Sequence, residues 1–204
     1  MKTKIENFAL SFILAPLAPI AGLLGFWWTA YTFIPERWIS FCALGGLALG
    51  ILADVFVLKK LVERAYRLGT VFWLAVLLFY SVGTFGFFMG VPIFNTALAV
   101  PAGFVIGGKL AHERVDGVRL RRASLRTCIL TTTMMALVCA ASAFFALMSP
   151  STPSDLRGMF SLGFEVTPVM IWSIILAGGA GLLAVNWLLT GLSVRFMHRF
   201  LSTP

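Results

Sequence analysis

Acid is what this chain has least of. Eight Asp and Glu residues serve 204 positions, beside two histidines and three cysteines. Cys42, Cys128 and Cys139 form no CxxC pair and sit inside apolar runs, which argues against a disulfide framework or a zinc cage. They read as small buried hydrophobes. No GKS or GKT closes a phosphate loop, and no second histidine stands at metalloprotease spacing from His112. No metal and no cofactor is expected. Charge is scarce as well, at 12% of residues, whereas 59% are hydrophobic. Soluble domains carry about 25% charged residues, so most of this chain must face lipid rather than water.

The apolar residues gather into six runs, placed at 8–33, 38–58, 70–90, 91–108, 127–148 and 168–193. Each is long enough for a helix to cross a hydrocarbon core of about 30 Å. The expected fold class is therefore all-α: a polytopic integral membrane protein with six transmembrane helices in a single membrane domain, 1–204. Connecting loops are expected at 59–69 and 109–126 on one side, with an outer loop at 149–167. The first run exceeds the apolar core of a cleavable signal peptide and is expected to stay as a signal anchor.

The formal charge of +8 is distributed unevenly. Lys2, Lys4, Lys59, Lys60, Arg64, Arg67, Lys109, Arg114, Arg119, Arg121, Arg122, Arg126, Arg195 and Arg199 fall on one side of this threading. Only Arg37 and Arg157 fall on the other. The positive-inside rule then places both termini in the cytoplasm, and a prokaryotic plasma membrane is expected. The lipid bilayer is the expected partner, and nucleic acid is not. Arg119, Arg121, Arg122 and Arg126 would fix this topology or hold anionic lipid.

Residues 90–108, GVPIFNTALAVPAGFVIGG, place two prolines, an asparagine and four glycines in an apolar run. Pro101 would deprive the Ala97 carbonyl of its helical partner, a group that lipid cannot satisfy. The Thr96 hydroxyl, a neighbouring helix or water could do so. A spacing of four aligns Asn95, Ala99, Gly103 and Gly107 on one face, and Cys42, Gly46, Gly50 and Asp54 on another. Side by side, these two rows would allow close backbone approach, with helix packing as their ordinary use. Gly178 and Gly181, within AGGAG at 177–181, read the same way.

Pro16 and Pro19 in the first run, matched with Pro101 in the fourth, suggest two inverted three-helix halves with broken helices. Asp54, Asn95, Tyr80 and Asn186 are the expected solute contacts. Asp54 is the costliest of them inside an apolar run, unless snorkelling or a loop cation such as Lys59 relieves it. The leading expectation is a small-solute transporter, or its membrane-embedded capture subunit working with an ATPase module. Six helices in about 200 residues is a size shared with vitamin-capture subunits, an analogy of architecture without a motif. A non-catalytic membrane-complex subunit or assembly factor, bound to other membrane proteins, is the alternative. An intramembrane lipid-modifying enzyme using Asp54, His112 and Glu113 is a third, lacking any evident nucleophile or paired carboxylates. In the outer loop, the apolar side chains Leu156, Met159, Phe160, Leu162 and Phe164 suggest a segment lying on the membrane surface.

Overall fold

A computed structural model of the chain describes residues 2–159, 161 and 163–202. Phe160 and Leu162, two of the apolar outer-loop residues, lie outside them. The described residues are mostly helical, with no strand among them. Six segments are long and apolar enough to cross a bilayer: Lys4–Phe33, Glu36–Glu63, Thr70–Phe87, Pro92–His112, Gly117–Met148 and Pro168–Ser202. The chain divides into two compact units, residues 1–73 and 74–204. This split puts two crossings before the boundary and, apart from the first residues of the third, four after it. Three-helix halves are not the packing units.

In the first unit, α1 (Lys2–Leu14) and α2 (Leu17–Phe33) form one crossing interrupted at Ala15 and Pro16. Pro16 has helical backbone angles and its carbonyl accepts from the Ile20 N–H, so the interruption is shallow. Pro19 falls in the first turn of α2, where no intrahelical donor is required. Thr29 and Thr32 return their hydroxyls to the carbonyls of Gly25 and Trp28, hiding two polar groups that lipid would not solvate.

α3 (Ile39–Glu63) packs antiparallel on α2. Gly22 meets Gly46, and Gly50 meets Ala18 and Pro19, so closely that a methyl on any of these glycines would strike backbone. The antiparallel register gathers Lys4, Lys59, Lys60, Arg64 and Arg67 at one end of this unit. At that end Glu6 is buried against Tyr66, and the Trp73 indole donates to the Ala65 carbonyl at 3.2 Å.

The second unit contains most of α4 (Thr70–Phe87), α5 (Ala99–His112), α6 (Gly117–Met148), α7 (Thr152–Met159), α8 (Pro168–Ser173) and α9 (Gly179–Ser202). α4 stops where Met89 and Gly90 adopt φ of 53° and 80°, and the Gly90 N–H caps the Phe85 carbonyl at 2.7 Å. Residues Pro92–Leu98 then form a 3-10 segment. The break in the fourth crossing therefore lies upstream of Pro101, which sits in the first turn of α5. The Ala99 N–H is shared between the Thr96 and Ala97 carbonyls, and the Thr96 hydroxyl turns back to Ile93.

The stretch expected as a loop at 109–126 is almost entirely helix. α5 runs to His112 and α6 begins at Gly117, because the Asp116 carboxylate accepts from the Arg119 N–H at 3.0 Å and caps the new helix. Arginine and leucine are good helix formers, so RLRRASLR continues the crossing instead of leaving it. Similarly, α3 carries helix through Glu63, and α7 occupies part of the expected outer loop.

α9 packs parallel to α5 and antiparallel to α6. One end of this unit thus collects Lys109, Arg114, Arg119, Arg121, Arg122, Arg126, Arg195 and Arg199, opposed by Glu113 and Asp116.

Candidate functional site

Four crossings bring neutral polar side chains together inside the second unit. Ser81 comes from α4, Asn95 from the 3-10 segment, Thr131 from α6, and Asn186 with Thr190 from α9. All five are buried, Thr190 fully and Asn95 at 4% exposure. The 3-10 geometry of Pro92–Leu98 directs Asn95 inward, and its amide nitrogen donates to the Ser81 carbonyl at 2.9 Å.

The α6 and α9 members form a linked chain. The Thr131 and Thr190 hydroxyls lie 2.9 Å apart, either one able to donate to the other, and Thr190 also reaches the Asn186 carbonyl at 2.9 Å. Thr131 also lies 3.1 Å from the Thr127 carbonyl, and the Asn186 amide nitrogen reaches the Thr132 hydroxyl at 3.4 Å. These groups are mutually satisfied. Asn95 Oδ1 is not: it is buried and receives no hydrogen bond from any described residue. A buried acceptor left this way costs about 1–3 kcal/mol relative to a satisfied one.

Asn95, Asn186, Ser81 and Thr131 line a cavity of about 10 Å³, closed by Ala99 and Met135 among apolar neighbours. This is room for one water-sized group. Among the described residues no charged side chain lines it. Its chemistry is hydrogen-bond acceptance and donation without electrostatic selection.

Of the four expected solute contacts, the structure brings Asn95 and Asn186 together here. Tyr80 does not line the cavity, its ring lying beside Phe79, and Asp54 belongs to the first unit. Asp54 is partly exposed and makes no ion pair with a described residue, Lys59 included. Ser81 and Thr131 complete the site. As hydroxyl residues in apolar runs they were visible in the sequence, but nothing there indicated which ones share a cavity.

Each glycine row is engaged within its own unit. Gly46 and Gly50 face α2. Ala99 is buried, while Gly103 and Gly107 face α9, where an added methyl would lie 2.7 Å from the Thr190 carbonyl oxygen and 2.5 Å from that of Val194. Gly178 and Gly181, expected to serve close packing, face open space, and a methyl added to either would meet no group within 4 Å. Among the described residues no three His, Cys, Asp or Glu side chains cluster as metal ligands. His112 places Nδ1 2.9 Å from the Gly108 carbonyl. No protein-family model, curated protein or solved structure matches this chain.

Proposed function

We propose that this chain binds a small, neutral, polar solute within the second unit, as a transporter or as the membrane-embedded capture subunit of one. One observation carries the reading: the Asn95 amide oxygen is buried, unsatisfied by protein, and part of a cavity shared with Asn186. A solute hydroxyl or N–H supplies the missing donor, and the absence of charged lining residues favours a neutral molecule. The resting cavity admits only a water-sized group. A larger solute enters by displacing the 3-10 segment, whose hydrogen bonds are poorer than those of an α-helix. Asn95 and Asn186 are the contacts of this site, and Asp54 and Tyr80 have no assigned role in it. On the same reading the basic end of each unit faces the cytoplasm of a prokaryotic cell, both termini lie there, and an ATPase module is the partner of a capture subunit.

The test is a binding screen of neutral polyols, amides and ureas against the protein in nanodiscs, read by thermal shift. At least one compound is expected to raise Tm, and Asn95→Leu and Asn186→Leu are expected to abolish the rise while retaining helical content. A panel without effect, or variants that respond like the parent, overturns the reading.

A second reading has its own observation. Ala177, Gly178 and Gly181 are exposed, and a methyl added to either glycine would meet no described group within 4 Å, which suits a neighbouring helix in a membrane complex. A complex that co-purifies with the parent and is lost with Gly181→Leu would favour it.

A further inference from the structure

The walls of the Asn95 cavity are held with unequal firmness. Thr131 and Asn186 stand on α6 and α9, which pack along each other, and the 3-10 segment rests on both of those helices. Leu77 and Ser81 form the remaining wall from α4, which packs closely along no other helix of the second unit. Gly83 and Gly86, on the next turns of α4, face open space. The seam between α4 and the 3-10 segment is therefore where the enclosure is weakest.

The backbone around this seam is built to bend. Met89 and Gly90, which join α4 to the segment, adopt φ of 53° and 80°, and Met89 is 94% exposed, so its side chain adds little packing to the bend. At the far end Pro101 has no N–H to offer the Ala97 carbonyl, and the hydrogen bonds between these two points are of the poorer 3-10 kind.

Two consecutive side chains close the seam. Phe94 stacks on Phe88 with ring centroids 3.8 Å apart and planes 15° from parallel. Asn95 turns the other way and donates to the Ser81 carbonyl. Phe94 is 44% exposed whereas Asn95 is buried, so the stack lies outside the cavity and the amide within it. Phe85, one turn before Phe88, meets Phe145 of α6 at 6.3 Å and steadies the same end of α4.

We infer that the seam between α4 and the 3-10 segment is the entrance to the Asn95 cavity, latched by the stack of Phe94 on Phe88 and flexed at Met89 and Gly90. Phe88 and Phe94 are positioning residues: they touch no solute, and parting their rings frees the segment to carry Asn95 away from Ser81. The inference rests on the proposed solute site for its purpose, while the opening itself is measured without solute.

Ser81→Cys places a thiol in the cavity wall, and a water-soluble methanethiosulfonate reagent supplied to both faces of nanodiscs probes it, with modification read at each cysteine by peptide mass spectrometry. The reagent is larger than the resting cavity of about 10 Å³, so this thiol reacts only when the seam parts. Cys128, buried where α6 meets α9, reports general loosening. Adding Phe94→Leu or Phe88→Leu is expected to quicken modification at position 81 about fivefold, with Cys128 unchanged. Adding both is expected to do no more than either alone, because each removes the same contact. An unchanged rate in both variants, a multiplied rise in the double variant, or a parallel rise at Cys128 overturns the latch. Should Ser81→Cys fail to fold, hydrogen exchange of the amides at 93–98 in Phe94→Leu provides the second measurement. It is expected to quicken about fivefold over the parent while exchange near Thr190 is unchanged, and equal exchange in the two proteins counts against the latch. Neither measurement uses a solute, so a failed binding screen and a failed latch are separate results.

Discussion

Thr131 and Thr190 join two crossings through a hydroxyl pair 2.9 Å apart, and each hydroxyl also contacts a main-chain carbonyl of its own helix. The pair lies where α6 and α9 run antiparallel, and both side chains are buried. Such interhelical bonds contribute about 0.6 kcal/mol on average, because the unfolded chain in lipid finds other partners. A double-mutant cycle with Thr131→Val and Thr190→Val is expected to return a coupling energy of about that size, measured by unfolding in mixed micelles. A coupling near zero would show that the two hydroxyls are adjacent without being energetically joined.

Glycine positions should divide sharply by what faces them. Gly107→Ala places a methyl 2.5 Å from the Val194 carbonyl oxygen, so backbone must move, and a loss of about 1–3 kcal/mol is expected. Gly181→Ala meets nothing in the isolated chain and is expected to change stability by less than about 0.5 kcal/mol. Thermal unfolding of the two variants under one detergent condition compares them directly.

Tyr66 is the group whose protonation should mark folding. Burial is the main cause holding its phenol well above the usual range, and the neighbouring Glu6 adds to it. A raised pKa means that the folded state keeps the proton when the unfolded state loses it. The contribution to stability is therefore complete below about pH 10 and declines as pH rises beyond it toward the folded value. Absorbance at 295 nm is expected to show one tyrosine failing to ionise until the protein unfolds in alkali, and Tyr66→Phe should flatten the stability loss above about pH 10.

Removing the cap at Asp116 tests why the arginine-rich stretch is helical. Asp116→Ala deprives the Arg119 N–H of its acceptor and is expected to cost about 1 kcal/mol, concentrated in the first turn of α6. Hydrogen exchange at Arg119 and Leu120 should quicken while exchange near Thr131 stays unchanged.

The six crossings were legible because lipid tolerates few charges over some 20 residues, and the apolar runs satisfy that demand without reference to tertiary structure. Their ends were less so. Asp116-Gly117 looks like a turn, and only the hydrogen bond to Arg119 distinguishes it from a cap that starts a helix. Rows of small residues announced close packing at Gly46, Gly50, Gly103 and Gly107 without naming the opposing backbone. Asn95 stood out as an amide in an apolar run, but its meeting with Ser81, Thr131 and Asn186 depends on the 3-10 segment. That segment breaks the spacing of four on which a helical reading of its face relied.

The sixth crossing contains its own adjustment. Residues Ile174–Gly178 form a π turn between α8 and α9, and such a turn takes one residue more than its α-helical counterpart. Everything after it is rephased by about 100° relative to a continuous helix. Excising a single residue from 174–178 would leave composition and hydropathy almost untouched, yet change by about 100° the face that α8 presents relative to α9.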